Sequence, residues 1–307
     1  MNQPRSKKVD IHGWIVLDKD FDQTSTQAVS QVRRLFNAKK GGHAGTLDPR
    51  ATGILPIALG EATKTVPFVM DGRKTYRFTV AWGAETATDD TEGEVTARSD
   101  IRPARADVEA LLPRYTGTIM QVPPKFSAIK VDGERAYDLA RDGEEVTLEA
   151  RPITVETLSL IAFSETEAEF EAECGKGTYV RAIARDIGRD LKCLGHVTAL
   201  RRTRVGPFGE DDTVTLDELR ELAEGKITGQ SLDDALLPVE AALAEVPEVK
   251  VTRDIAARLV RGQSTILRGR DAPIDGPVWA SAGGDPIALC EVERGELVPK
   301  RVFVFAA

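Results

Sequence analysis

Residues 41–56, GGHAGTLDPRATGILP, hold four glycines and two prolines in sixteen positions. Gly41, Gly42, Gly45 and Gly53 open backbone angles closed to other residues, while Pro49 and Pro56 each remove a donor and fix φ. Asp48 precedes a proline and is pushed to an extended conformation. Neither a regular helix nor a central strand is expected here. The pattern predicts a constrained loop presenting one carboxylate, with His43 and Arg50 close by in sequence. The apolar run 54–59 ties its far end into a core. On composition alone such a stretch is an ordinary turn, since Asp-Pro commonly opens one. A nucleotide cradle is disfavoured, because neither G-x-x-x-x-G-K-[ST] nor a helix-opening G-x-G-x-x-G after a strand is present.

The 307 residues allow a sizeable core and two domains. No window approaches 18 uninterrupted apolar residues, so no membrane span is expected. Residues 1–10 are polar and basic, unlike a secretory signal. Cys174, Cys193 and Cys290 are odd in number and far apart, which points to a reducing, cytoplasmic setting rather than a disulfide framework. With three histidines and no C-x-x-C, no metal site is expected. The net charge of −8 speaks against nucleic acid, but its distribution is uneven. Between 176 and 204, eight basic residues face two acidic ones, and Arg33, Arg34, Lys39, Lys40 and Arg50 cluster around the loop. A charge run is usually a solvated face; two such runs in an acidic chain also suit a localised phosphate-binding groove.

Periodicity places elements around the loop. Residues 12–17 read as a buried strand. Thr24, Ser25 or Thr26 caps a helix to about Phe36, with Val29, Val32, Leu35 and Phe36 on one face. A short helix opens at Gly60. In 74–82, Tyr76, Phe78, Val80 and Trp82 share one strand face, and read alone Tyr76 is a core tyrosine. Residues 83–100 form an acidic loop with a short strand, and 106–115 a helix. Residues 121–130 run extended toward a strand, Asp132-Gly133 turns, and 134–141 form a short helix in a basic, flap-like block. Two β-prone stretches, 151–163 and 165–174, pair. Thr178 caps a helix over 179–191 with a buried stripe of Val180, Ile183, Ala184, Ile187 and Leu191, which puts Tyr179 and Arg181 in its first turn. Residues 195–208 form a strand with Val197 and Ala199 inward and Leu200 a third candidate. From Val249 the pattern turns β-rich, a piece small enough to lean on the rest. Mixed strands and helices give an α+β class.

Together these pieces resemble one family. The string GHAGTLDPRATGILP at 42–56, followed by GEATK at 60–64, is similar to the signature of the TruB family of pseudouridine synthases. Further matches come in family order: KTYR at 74–77, QVPP at 121–124 with FSAIK at 126–130, RPITV at 151–155, CGKGTYVR at 174–181, and GHV at 195–197 with LRR at 200–202. The resemblance covers residues 10–245 closely and the tail loosely. It implies a pseudouridine synthase fold, with a central mixed, mainly antiparallel sheet flanked by helices and loops. It also implies a catalytic domain over 1–245 with an inserted thumb at about 124–150, and a small PUA-like RNA-binding domain over 246–307. The activity implied is isomerisation of uridine 55 in the TΨC loop of tRNA, by a monomer needing no cofactor, metal, membrane or obligate protein partner. Asp48 would be the catalytic aspartate, Arg181 would hold it in an ion pair, and Tyr179 would sit beside both. Tyr76 would stack on the target uracil, Leu200 would pack beneath it, and His43 would approach the RNA where the uridine leaves its stack. Lys19, Lys64 and Arg202 complete the implied substrate-binding set. The family's Lys-Pro-x-Gly-x-Thr-Ser segment is here Lys19-Asp20-Phe21-Asp22-Gln23-Thr24-Ser25, so Asp20 and Asp22 stand in place of Pro and Gly.

The residues suit that chemistry. The isomerisation exchanges no electrons and donates no group. An ionised carboxylate can act as a nucleophile, toward either ribose or ring, or can take a proton first. The base must leave its stack, and stacking on an aromatic ring returns roughly 1–3 kcal/mol. Two other readings are an RNA chaperone without turnover and a guide-RNA-dependent relative. The first has no chemical need for Asp48, and the short tail gives no sign of the second.

Overall fold

The structure is a computed structural model that describes residues 8–127, 130–131, 134–135, 148–267 and 273–305. Thr24 caps helix α1 (Ser25–Leu35) with a capping box to Gln27, and α1 buries Ala28, Val29 and Val32. Strand β1 (Gly13–Lys19) runs antiparallel to β3 (Thr52–Leu59), whose outer half also pairs with β2 (Gly41–His43). The far end of the glycine–proline stretch is therefore a central strand, contrary to the expectation that none would form there. Pro56 is tolerated because of where its ring nitrogen points. Its carbonyl accepts from Ala44 N–H at 2.9 Å, so the missing donor faces the same side, away from β1, where β2 has ended.

Next come α2 (Val66–Asp71), β4 (Lys74–Trp82), β5 (Ala84–Thr86), β6 (Val95–Arg98), α3 (Arg105–Leu111) and β7 (Gly117–Gln121). In the block expected to form a thumb, β8 (Lys130–Val131) pairs with β9 (Glu134–Arg135). Glu134 and Arg135 are thus extended, not the start of a helix, and the rest of that expected helix, 136–141, lies outside the described residues. Then follow β10 (Arg151–Phe163), β11 (Glu167–Cys174), α4 (Val180–Asp190), β12 (Gly195–Val205), β13 (Phe208–Gly209) and α5 (Leu216–Ala223). The main sheet runs β1-β3-β12-β4-β11-β10-β7, with β2 on β3 and β13 on β12. Among the described strands of this sheet, only β3 and β12 pair in parallel, through Arg201–Thr52 and Arg202–Gly53. Gly53 has φ +98°, and a Cβ there would lie 2.3 Å from the Arg202 carbonyl oxygen, so only glycine permits this contact. A bulge between Val197 and Ala199 turns Ala199 outward, contrary to expectation, and leaves the third candidate, Leu200, packed against the core.

A second sheet holds β14 (Glu248–Lys250), β15 (Thr265–Ile266), β16 (Gly276–Ala282), β17 (Asp285–Glu293) and β18 (Glu296–Val302), with α6 (Arg253–Val260) against it. It has its own core around Leu259, Val278 and Leu297. Leu289 and Phe303 instead join Trp14, Val205 and Phe208 of the main body in one buried cluster. No helix among the described residues is long and apolar enough to cross a membrane.

Candidate active site

Side chains from three elements fix the loop between β2 and β3. Arg202, on β12, is 2% exposed and donates Nε to Ile54 O at 2.8 Å, Nη1 to Thr46 O at 3.2 Å and Nη2 to Gly45 O at 3.1 Å. Ser25 at the start of α1 donates to Leu47 O and accepts from Leu47 N–H, both at 3.0 Å. Lys19 at the end of β1 is wholly buried, with Nζ shared among Asp20 O, Gln23 O and Pro49 O. Burial pulls its pKa down to about 8, against the opposing pull of Asp48. With these carbonyls bound, the Asp48 side chain is left 37% exposed and turned toward Arg181.

Arg181 arrives on α4. The residues expected to form a buried stripe do so, from Val180 through Ile187. Thr178 does not cap this helix, contrary to expectation; its hydroxyl donates to Gly175 O, and Tyr179 is the N-cap residue. Gln121 of β7 braces that terminus instead, accepting from Tyr179 N–H at 2.9 Å and donating to Tyr179 O at 3.1 Å. Arg181 and Arg185, four residues apart, share one helix face. Arg181 Nε lies 2.8 Å from Asp48 Oδ2, Nη1 donates to Thr88 O at 2.8 Å and approaches Asp90 Oδ2 at 3.6 Å, and Nη2 donates to Phe126 O. Burial works against its charge, but Asp48, Asp90 and Asp89 outweigh it, and the pKa is raised. One prong of the guanidinium therefore serves Asp48 while the others anchor it to the fold.

Asp48, Arg50, Asp90, Arg181 and Leu200 line a common cleft. Tyr76 and Tyr179 are not in its lining, yet both phenols feel the Asp48 charge. Burial raises both, and for Tyr76 the nearby Arg202 guanidinium pulls the other way. The cleft is partly open and its interior space is about 10 Å³, enough for a single water. His43 sits on β2, its pKa lowered by burial and then by Arg202, and its Nδ1 is buried with no hydrogen-bond partner among the described residues. Lys64 is absent from the lining; it pairs with Glu61 and donates to Val302 O of the second sheet at 2.8 Å.

Known proteins resemble this chain in sequence and in fold. The family model described as TruB family pseudouridylate synthase (N terminal domain) matches residues 33–180, and the tRNA pseudouridylate synthase B C-terminal domain matches 181–244. A Bradyrhizobium diazoefficiens protein named tRNA pseudouridine synthase B is 61% identical over 98% of this chain and 88% of its own. The chain belongs to the TruB family of pseudouridylate synthases. A Rhizobium meliloti protein of the same name is 56% identical over 99% of both chains. Among solved structures, the fold matches a chain in a Cbf5–Nop10–Gar1 complex with TM-score 0.73 at 24% identity, covering 95% of this chain and 85% of that one. The Nop10–Cbf5 complex of an archaeal box H/ACA sRNP gives TM-score 0.71 at 23% identity, with 95% and 86% covered. These last two likenesses concern the fold alone.

Within this TruB chain, most cations of the basic run 176–204 are matched with carboxylates. Arg181 and Arg185 are buried against Asp48, Asp89 and Asp90; Arg189 pairs with Glu85, Arg201 with Asp18 and Glu210, and Lys176 with Asp71. Sequence reasoning also missed Thr88, Asp89 and Asp90, which it folded into an acidic loop. Their only local signal was a TDDT string in a segment expected to be solvated. The loop is instead stitched to β12 through Val197 N–H on Asp89 O, which puts both aspartates beside α4.

Proposed function

We propose that this chain converts uridine to pseudouridine in tRNA, at position 55 of the TΨC loop, with Asp48 as the catalytic aspartate. One observation carries the reading: the Asp48 carboxylate stands on a loop whose carbonyls are bound by buried side chains, and it meets a buried guanidinium at 2.8 Å in a cleft. Membership of the family supports the reaction class, and the names of the relatives support tRNA as substrate. The reaction breaks the C1′–N1 bond, turns the uracil and forms a C1′–C5 bond; C5 gives up a proton and N1 gains one. Atoms and electrons balance without a cofactor or metal. Arg181 holds Asp48 in place, and Tyr179 stands beside the pair. Tyr76 receives the extruded base by stacking and Leu200 packs beneath it. Lys19 and Arg202 act through the loop they hold, while His43 lies near the path of the uridine. The chain works as a cytoplasmic monomer, with the thumb and the second, PUA-like sheet contributing RNA contacts.

The test is an unmodified tRNA transcript incubated with the protein, with the modified nucleotide mapped by carbodiimide labelling and primer extension. Pseudouridine is expected at position 55. Asp48→Asn is expected to abolish it while leaving tRNA affinity within about threefold, since only one charge is lost. Turnover by the Asn variant would remove the assignment of Asp48.

A further inference from the structure

Two guanidinium groups line the cleft, and they are used differently. Arg181 is occupied by protein acceptors, as described. Arg50, two residues past Asp48, donates no hydrogen bond among the described residues, and its side chain is 40% exposed. Its nearest carboxylate, Asp22 Oδ1, lies 3.9 Å from Nε, too far for a hydrogen bond. The Arg50 guanidinium carbon sits 5.2 Å from the centroid of the Phe21 ring. Stacking of that kind uses the face of the guanidinium and leaves its edge donors open.

Phe21 is itself fixed. It lies in the turn 20–22, where Asp20 and Asp22 replace the family's Pro and Gly. Asp22 adopts φ +61° and donates its N–H to Pro49 O at 2.9 Å, the same carbonyl that Lys19 Nζ reaches. The turn is thus fastened to the residue between Asp48 and Arg50. Phe21 stays half exposed, an aromatic ring whose evident neighbour is the Arg50 guanidinium. A cation with unused planar donors, held at the rim of a cleft beside the reacting carboxylate, fits a phosphodiester oxygen.

We propose that Arg50 is a phosphate-binding residue at the mouth of the cleft, held over Phe21, which grips the RNA backbone beside the base drawn toward Asp48. The inference rests on the proposed function for the identity of the RNA, but its test stands apart from turnover. Affinity for an unmodified tRNA transcript is measured across a salt series in the Asp48→Asn background, so that the bound RNA stays unmodified. Losing one phosphate contact lowers the slope of log affinity against log salt by about 0.7–0.9 and weakens binding about fivefold. Arg50→Ala is expected to do both. Arg50→Lys keeps the charge and is expected to keep the slope. Phe21→Leu is expected to weaken binding while leaving the slope unchanged, because it releases the guanidinium without removing it. An Arg50→Ala slope equal to that of the Asp48→Asn parent overturns the phosphate contact, as does a Lys variant whose slope is as shallow as that of the Ala variant. A Phe21→Leu protein that binds like the parent overturns the hold by Phe21. If the protein with Asp48 intact forms no pseudouridine, the proposed function fails, and the salt slope still judges Arg50.

Discussion

Arg202 illustrates what a single buried cation does in this fold. Its guanidinium reaches Ile54, Thr46 and Gly45 carbonyls, on both sides of Asp48 in sequence. Arg202→Met keeps much of the apolar stem but leaves three acceptors without a donor, each costing about 1–3 kcal/mol when buried. A loss of at least about 3 kcal/mol in stability is expected, together with a large fall in the single-turnover rate. The slope of tRNA affinity against salt is expected to stay unchanged, because no phosphate contact is removed; a shallower slope measured by filter binding would return Arg202 to the RNA-binding surface. Apart from the substrate-binding role implied by the family resemblance, the sequence showed Arg202 as one of eight cations in a basic run. Its burial depends on β3 and β12 meeting at Gly53, about 150 residues apart in the chain, and no local pattern reports that contact. Asp48 was legible for the opposite reason, since its constraint is written in the glycines and prolines around it.

At the scale of elements, α4 and the loop between β5 and β6 act together. Arg185 donates Nη1 to Asp89 Oδ2 at 3.1 Å, Nε to Asp186 at 2.8 Å and Nη2 to Val122 O at 2.8 Å, tying together the helix, the loop and the segment that follows β7. Burial pushes the Asp89 pKa up to about 6, although Arg185 and Arg181 pull it down; Glu85 adds to the rise. The raised value fixes a sign. Between about pH 4 and 6 the folded protein holds a proton on Asp89 that the unfolded chain releases, so this contribution to stability falls as pH rises through the window. The wild type should therefore gain on Asp89→Asn by on the order of 2 kcal/mol as pH drops from about 6 to 4. Denaturant melts at several pH values check it, and a constant difference between the two proteins would mean that Asp89 is not desolvated as the fold implies. The helix was legible from its apolar stripe. Its true brace, Gln121, was not, because a glutamine at the end of a strand carries no mark of the helix end it meets 58 residues later.

For the whole molecule, the question is whether the two sheets unfold apart. The β-rich tail was readable from its change of composition at Val249, but not the way it joins the main body. Lys64 and Glu61, expected from resemblance to face substrate in the case of Lys64, meet the end of β18: Lys64 Nζ donates to Val302 O, and Glu61 accepts from Val304 N–H at 2.6 Å. Beside them Phe303 is 5% exposed and packs in the same cluster as Trp14, Phe208 and Leu243. A ring shared between two cores couples their stabilities, because either body that unfolds strips apolar cover from the other. The chain is therefore expected to melt in a single calorimetric transition. Phe303→Ala removes about 3–5 kcal/mol of packing, and the loss should appear as a fall in the midpoint of that one transition. If the second sheet were an independent body, the same variant would instead detach a small early transition and leave the main one, with its bound Asp48 loop, at the wild-type temperature.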